Sequence, residues 1–122
     1  MWVDWIRGPE DHRRVLEMSD LVICGPILQE VMQGFEQTAY AMTLRTAMLS
    51  LPRIADPMPL ESFLAAAEIY SDGRRRGYTI RSTVDCLIAA VAIEHGATVW
   101  HKDRDYDTIA RFTPLRVVRP IR

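Results

Sequence analysis

Hydrophobic residues recur every three or four positions in four stretches of the chain, a spacing that predicts amphipathic helices. The stretches are 26–34, 38–51, a third from Pro59 to near Gly73 or Gly77, and 83–96. Gly34 and Gly96 follow the periodic positions of two of these stretches, and glycine is common just after a helix. The chain is therefore predicted to be rich in short helices.

Between these helices lie compact apolar runs with the length of a β-strand. They are LVIC at 21–24, ATVW at 97–100 and LRVV at 115–118, with PRIA at 52–55 as a weaker candidate. Short buried strands that alternate with helices predict βα units and a mostly parallel sheet. No internal repeat or linker interrupts the pattern, so we expect one α/β domain over residues 1–122.

Composition and charge narrow the class of protein. With 48% hydrophobic and 25% charged residues, the chain has the balance of a globular domain. A net charge of −1 argues against a protein that binds nucleic acid over a broad basic surface, although not against an enzyme that binds RNA at one site. We recognise neither a membrane-spanning run nor a signal peptide. Cys24 and Cys86 lie in apolar segments, which predicts buried free thiols and a cytoplasmic protein.

Acidic residues follow two of the predicted strands and open the strongest predicted helix. Glu30 comes soon after LVIC, Asp103 and Asp105 come just after ATVW, and Asp85 lies in the first turn of the helix at 83–96. In open α/β sheets, ligand sites form beyond the carboxyl ends of the strands. Acids from three separate segments are therefore expected to converge at one edge of the sheet.

Each acid alone also has a simpler interpretation. Ser82 and Asp85 have the spacing of a capping box, so Asp85 by itself fits a helix cap. Glu30 fits the solvated flank of a helix, and Asp105 fits a helix start. Taken together, the acids favour a metal site, because carboxylates that share a small space repel one another and a hard cation such as Mg²⁺ removes that conflict.

Two segments, GPILQEVMQG and YTIRSTVDCLIAAVAIEHGATVWHKDRDYDTIA, resemble the PIN-domain ribonucleases, specifically the VapC-type toxins of bacterial toxin–antitoxin pairs. The resemblance extends from Trp2 to the C-terminus. It implies a three-layer α/β fold with a mostly parallel sheet between helices. It further implies an Mg²⁺- or Mn²⁺-dependent endoribonuclease, a homodimer, and a cognate antitoxin that fills the acidic site.

The resemblance also assigns roles to particular residues. Glu30, Asp85, Asp103 and Asp105 match the acids that hold the metal and carry out catalysis in this family, and Tyr106 stands where phenylalanine is usual. An activated water would then attack the RNA phosphodiester in line and leave a 5′-phosphate and a 3′-hydroxyl. Asp107 remains a helix-start acid.

The beginning of the chain departs from the family pattern. The family has a first strand that ends in DTS before a segment like VWIDWLRG, and the strand's Asp is a principal metal ligand. Here MWVDWIRG matches only the later segment, so that strand and Asp have no counterpart, and Asp4 matches a different acid. MWVDWIRG itself has a helix-like pattern. We expect a start codon assigned too late or a trimmed chain, with impaired activity in the sequence as given.

Several basic residues are candidates for contact with RNA. Arg81, Lys102 and Arg104 flank the acids and are predicted to contact substrate phosphates. The run GRRRGY at 73–78 fits a solvated helix end, or contact with RNA or with the antitoxin. His101 follows a strand near the acids but is more typical of a structural residue than of an Mg²⁺ ligand.

Three functions are compatible with these patterns. The first is a metal-dependent toxin endoribonuclease. The second is a truncated, catalytically impaired PIN domain that binds antitoxin or RNA. The third is a phosphoacceptor domain, which is ranked last because none of the strands LVIC, ATVW and LRVV ends in the Asp that would be phosphorylated.

Overall fold

A computed structural model describes residues 5–7, 21–35, 39–101 and 103–118. Within these residues the elements are β1 (Trp5–Arg7), β2 (Leu21–Val22), α1 (Gly25–Phe35), α2 (Ala41–Leu49), α3 (Leu60–Arg75), α4 (Thr83–Glu94), β3 (Thr98–Trp100), α5 (Arg104–Ala110) and β4 (Arg116–Val118). Helices α1 to α4 correspond to the four predicted stretches. The α/β class is therefore confirmed.

The four strands form one sheet in the order β2-β1-β3-β4. The pairing of β3 with β4 is parallel, and a parallel bridge joins Ile23 to Arg53 in the weaker predicted strand. By contrast, β1 runs antiparallel to both β2 and β3. The prediction of a mostly parallel sheet is correct for β3, β4 and the bridge but wrong for β1.

Strand β1 also corrects the helical prediction for the first residues of the chain. Trp5 pairs with Trp100 and Ile6 pairs with both Val22 and Val99, so Trp5–Arg7 occupies the centre of the sheet. Backbone groups of β2 and β3 would otherwise lack ladder partners, which costs roughly 1–3 kcal/mol for each buried group. This gain in pairing outweighs a weak local helical preference, as tertiary context often does.

Helix α4 lies at the centre of the hydrophobic core. Its residues from Ile88 to Ala92 are all at most 2% exposed, and it packs along α3. The small alanine side chains allow the two helices to approach closely. Cys24 and Cys86 are buried free thiols, as predicted, and burial raises the pKa of each to about 11.

The two ends of α4 are fixed by local hydrogen bonds. At the start, Ser82 Oγ accepts a hydrogen bond from the Asp85 N–H at 3.3 Å, so the predicted cap is present. At the end, Gly96 has a φ of 63°, and the Ala97 N–H donates to the Ala92 carbonyl at 2.8 Å. This is the Schellman arrangement that closes a helix. Among the described helices, none has both the length and the apolar character needed to cross a bilayer.

Candidate metal centre

Three of the predicted acids meet at the N-terminal ends of two helices. Asp85 lies in the first turn of α4, Asp103 is the N-cap of α5, and Asp105 lies in the first turn of α5. One carboxylate oxygen from each lies within 4.8 Å of the others. Asp85 and Asp105 are only 4% and 3% exposed, whereas Asp103 is half-buried. We call these three residues the carboxylate cluster.

The chain after β3 brings Asp103 and Asp105 to this position. Asp103 has an extended backbone, and its Oδ1 accepts a hydrogen bond from the Asp105 N–H at 2.9 Å. That bond caps α5, since an N-cap side chain accepts from an N–H of the first turn. The cap turns the backbone immediately after the strand, so both acids lie next to the start of α4.

Asp105 is held by the segment that leads into α4. Its Oδ2 accepts hydrogen bonds from the backbone N–H groups of Arg81 at 3.1 Å and Ser82 at 3.0 Å. In a reciprocal capping box, the carboxylate of Asp85 would accept a hydrogen bond from the Ser82 N–H. Here Asp105, from another helix, accepts that hydrogen bond, and it therefore connects the start of α5 to the start of α4. The sequence gives no indication of this contact, because almost every residue has a backbone N–H whatever its side chain.

Glu30 lies at the rim of the cluster rather than within it. It is an exposed residue of α1, and it is not part of the three-acid group. Partial burial, followed by the negative charge of Asp103, raises the pKa of Glu30 above its ordinary value. The influence of Asp103 indicates that Glu30 faces the same region of space.

The donor set of the cluster fits a hard divalent cation. Three carboxylates within 4.8 Å repel one another, and two of them are almost fully buried. Buried charges of one sign are stable only with a compensating partner. Carboxylate oxygens are the ligands that Mg²⁺ and Mn²⁺ take, whereas imidazole and thiolate favour other metals.

The remaining candidates lie around this centre. Arg81 is exposed, with its Nε 3.9 Å from Asp105 Oδ1, and Arg104 is exposed in the first turn of α5. His101 is fully buried beside the ring of Tyr106, and its Nε2 lies 3.4 Å from Asp107 Oδ1. This placement agrees with a structural role for His101. Lys102 and Asp4 lie outside the described residues.

Comparison with known proteins agrees with this fold. The model of the PIN domain family matches residues 1–112. This chain therefore belongs to the PIN domain family, and within it to the VapC type. It is 39% identical over 122 aligned residues to the VapC ribonuclease Mb1587 of Mycobacterium bovis and to the ribonuclease VapC11 of Mycobacterium tuberculosis. Those alignments cover 94% of this chain and 90% of each relative.

Proposed function

We propose that this chain is a VapC-type toxin endoribonuclease that hydrolyses RNA phosphodiester bonds with a divalent cation held by Asp85, Asp103 and Asp105. The observation that carries the proposal is the convergence of these three carboxylates within 4.8 Å, in a chain of the PIN family. The names of the curated relatives, both ribonucleases, support the same activity.

Mg²⁺ or Mn²⁺ is the cation we propose. When bound, such an ion activates water and neutralises charge that develops on phosphate oxygens. The protein's own part is to hold the carboxylates so that they face one point. The backbone N–H groups of Arg81 and Ser82 hold Asp105, whereas Asp85 and Asp103 lie at the N-terminal ends of α4 and α5.

Glu30 and the nearby basic residues complete the proposed site. Glu30 matches a metal-binding and catalytic acid of the family, and we propose that it serves the same site, because the negative charge of Asp103 acts on its carboxyl group. Arg81 and Arg104 have exposed side chains beside the acids and would contact RNA phosphates, together with Lys102 on the basis of its sequence position. Arginine suits this task because its guanidinium forms paired hydrogen bonds with phosphate.

Membership of the VapC type also implies partners for this chain. VapC-type proteins are toxins that are held inactive by an antitoxin. We propose a cognate antitoxin that covers the carboxylate cluster, a homodimer, and a cytoplasmic location.

The test is cleavage of a panel of end-labelled RNAs with Mg²⁺, with Mn²⁺ and with EDTA. We expect cleavage with either ion and none with EDTA. Asp85→Asn should lower the cleavage rate by at least about a hundredfold, since even changes in groups that only support a metal ligand cost about 10- to 100-fold. Glu61→Gln, an exposed acid in the first turn of α3, is the matched control and should cleave like the parent. Undiminished cleavage by Asp85→Asn would contradict the proposal.

A second function has one observation in its favour. The central strand β1 consists of Trp5, Ile6 and Arg7, so it offers no counterpart of the Asp with which the family's first strand holds the metal. Without that ligand, the chain would be an impaired nuclease that still binds RNA or antitoxin. If the parent binds RNA but cleaves none of the panel with either ion, this second function is the correct one.

A further inference from the structure

The turn after α3 and the segment after α5 bring together two aromatic rings that the proposed mechanism does not use. Tyr78 stacks on Phe112, with ring centroids 5.3 Å apart and an interplanar angle of 13°. The guanidinium carbon of Arg76 lies 5.9 Å from the centroid of the Phe112 ring. Both rings are half-buried, so each keeps some surface open to solvent. We call Arg76, Tyr78 and Phe112 the stacking group.

The stacking group is held in place by the backbone. Helix α3 ends in a Schellman arrangement, in which Gly77 has a φ of 85° and the Tyr78 N–H donates to the Gly73 carbonyl at 2.9 Å. Phe112 lies against Gly73 so closely that a Cβ there would come within 3.0 Å of Phe112 Cζ. The rings are therefore already ordered, so binding of a ligand would cost little side-chain conformational entropy.

We propose that the stacking group, together with Arg81, is a subsite that binds single-stranded RNA, with a base on the Tyr78 ring and phosphates on Arg76 and Arg81. This inference rests on the proposed function and names how that site holds its substrate. Proteins that bind single-stranded RNA commonly stack bases on aromatic rings and arginine planes.

Charge favours a polyanion at this surface. Arg74, Arg75 and Arg76 are three consecutive exposed arginines, and Asp72 is the acid that pairs with two of them. The result is a local excess of positive charge in a chain whose net charge is −1. Arg76 remains 57% exposed in its pair with Asp72, so its guanidinium can reach a phosphate.

The position of the subsite also suits an RNA substrate. Arg81 follows Tyr78 by three residues, so their Cα atoms lie at most about 11 Å apart. Arg81 itself lies beside Asp105 of the carboxylate cluster. A base on Tyr78 would therefore belong to a nucleotide close to the bond that the cluster hydrolyses. An acidic peptide would satisfy the arginines but would have no need of a flat pair of rings.

The test measures RNA binding separately from cleavage. Each variant is made in an Asp85→Asn background, and the affinity for a short fluorescein-labelled oligoadenylate is measured at several salt concentrations. Tyr78→Leu should weaken binding by about 5- to 100-fold and leave the salt dependence unchanged, because stacking is not electrostatic. Arg76→Gln should make the slope of log affinity against log salt less steep by about 0.7, which corresponds to one lost phosphate contact on a single strand.

Control variants separate stacking from a general loss of structure. Tyr78→Phe keeps the ring and should bind like the parent, whereas Tyr40→Leu and Arg45→Gln change exposed residues of another part of the molecule and should have no effect. Circular dichroism and thermal unfolding of each variant show whether the fold is retained.

Three results would overturn the subsite. If the full chain cleaves RNA but Tyr78→Leu binds as tightly as Tyr40→Leu, the subsite is wrong and the proposed function stands. If the variants weaken binding of a polyglutamate peptide and leave RNA binding unchanged, the surface recognises an acidic protein. A chain that neither cleaves nor binds RNA would contradict the subsite and the proposed function together.

Discussion

The carboxylate cluster and the end of α3 are both built from charged side chains at helix ends, yet they are stabilised in opposite ways. At the end of α3, Asp72 forms ion pairs with Arg75 at 3.2 Å and Arg76 at 3.1 Å, all within one helical turn. In the cluster, three acids from the starts of two helices are brought within 4.8 Å of one another. In the first arrangement opposite charges pair locally, whereas in the second the like charges need a compensating partner from elsewhere in the fold.

The difference shows what each region can do. Exposed ion pairs one turn apart contribute little to stability, and they leave their side chains available for other contacts. A buried group of like charges has an energetic cost that the fold accepts only where something compensates for it. In the cluster, backbone N–H groups and the guanidinium of Arg81 compensate Asp105, and a bound cation would add to that compensation. The predictions below test this contrast, in order of decreasing effect.

Asp105→Ala should have the largest effect on stability. It removes the acceptor of the Arg81 and Ser82 N–H groups, and two partly buried donors without a partner cost about 2–5 kcal/mol in the free energy of unfolding. Urea denaturation measures this change. Asp103→Ala loses only an N-cap bond and should cost about 1 kcal/mol, so equal losses in the two variants would contradict the role given to Asp105.

Mn²⁺ should stabilise the folded chain, because it removes the repulsion among Asp85, Asp103 and Asp105. At a concentration a hundred times its Kd, a ligand that binds only the folded state adds about 2.7 kcal/mol, or roughly 10 °C in Tm for a domain of this size. Differential scanning fluorimetry measures the shift. Asp85→Asn should reduce it strongly, and Asp72→Asn should leave it unchanged. An equal shift in all three proteins would place the ion elsewhere.

Glu30 should make stability fall as the pH rises, in the absence of a divalent cation. Its pKa is raised in the folded chain, so the unfolded chain ionises first, and the folded state loses relative stability from pH 4.5 up through the raised pKa. Below that window Glu30 is protonated in both states and has no effect. The change should be modest because Glu30 is exposed. Glu30→Gln should flatten this part of the pH profile measured by urea unfolding, and an unchanged profile would contradict the shift.

Asp72→Asn should have the smallest effect. Its two ion pairs are exposed, so their loss should change the free energy of unfolding by at most about 0.5 kcal/mol, even though Asp72 contacts two arginines. Urea unfolding at low and high salt measures the change. A loss comparable to that of Asp105→Ala would show that the local pairs matter as much as the long-range contacts.

The helices could be predicted because their signals are local. Thr83–Glu94 begins after Ser82, which caps it, and ends before Gly96, which takes a positive φ. Each of these features lies within a few residues of the helix that it defines. The convergence of Asp85 with Asp103 and Asp105 could also be anticipated, because ligand sites of an α/β sheet form beyond the carboxyl ends of its strands, and Asp103 and Asp105 follow β3.

Long-range contacts could not be predicted in the same way. The segment MWVDWIRG has a helix-like pattern, but backbone pairing with β2 and β3 makes Trp5–Arg7 an antiparallel strand. Glu30 is predicted to act with the other acids, and it lies outside the group formed by Asp85, Asp103 and Asp105. The stack of Tyr78 on Phe112 joins residues far apart in the chain, and nothing near either residue indicates it.

The sequence by itself determined helices α1 to α4, the burial of both cysteines, and which acids follow the strands, because periodicity, caps and turns act over a few residues. Only the tertiary structure decided the direction of β1, the backbone donors that hold Asp105, and the ring pair beside the arginines. These depend on the requirement that every buried polar group find a partner and every core surface a neighbour, which the folded chain satisfies only as a whole.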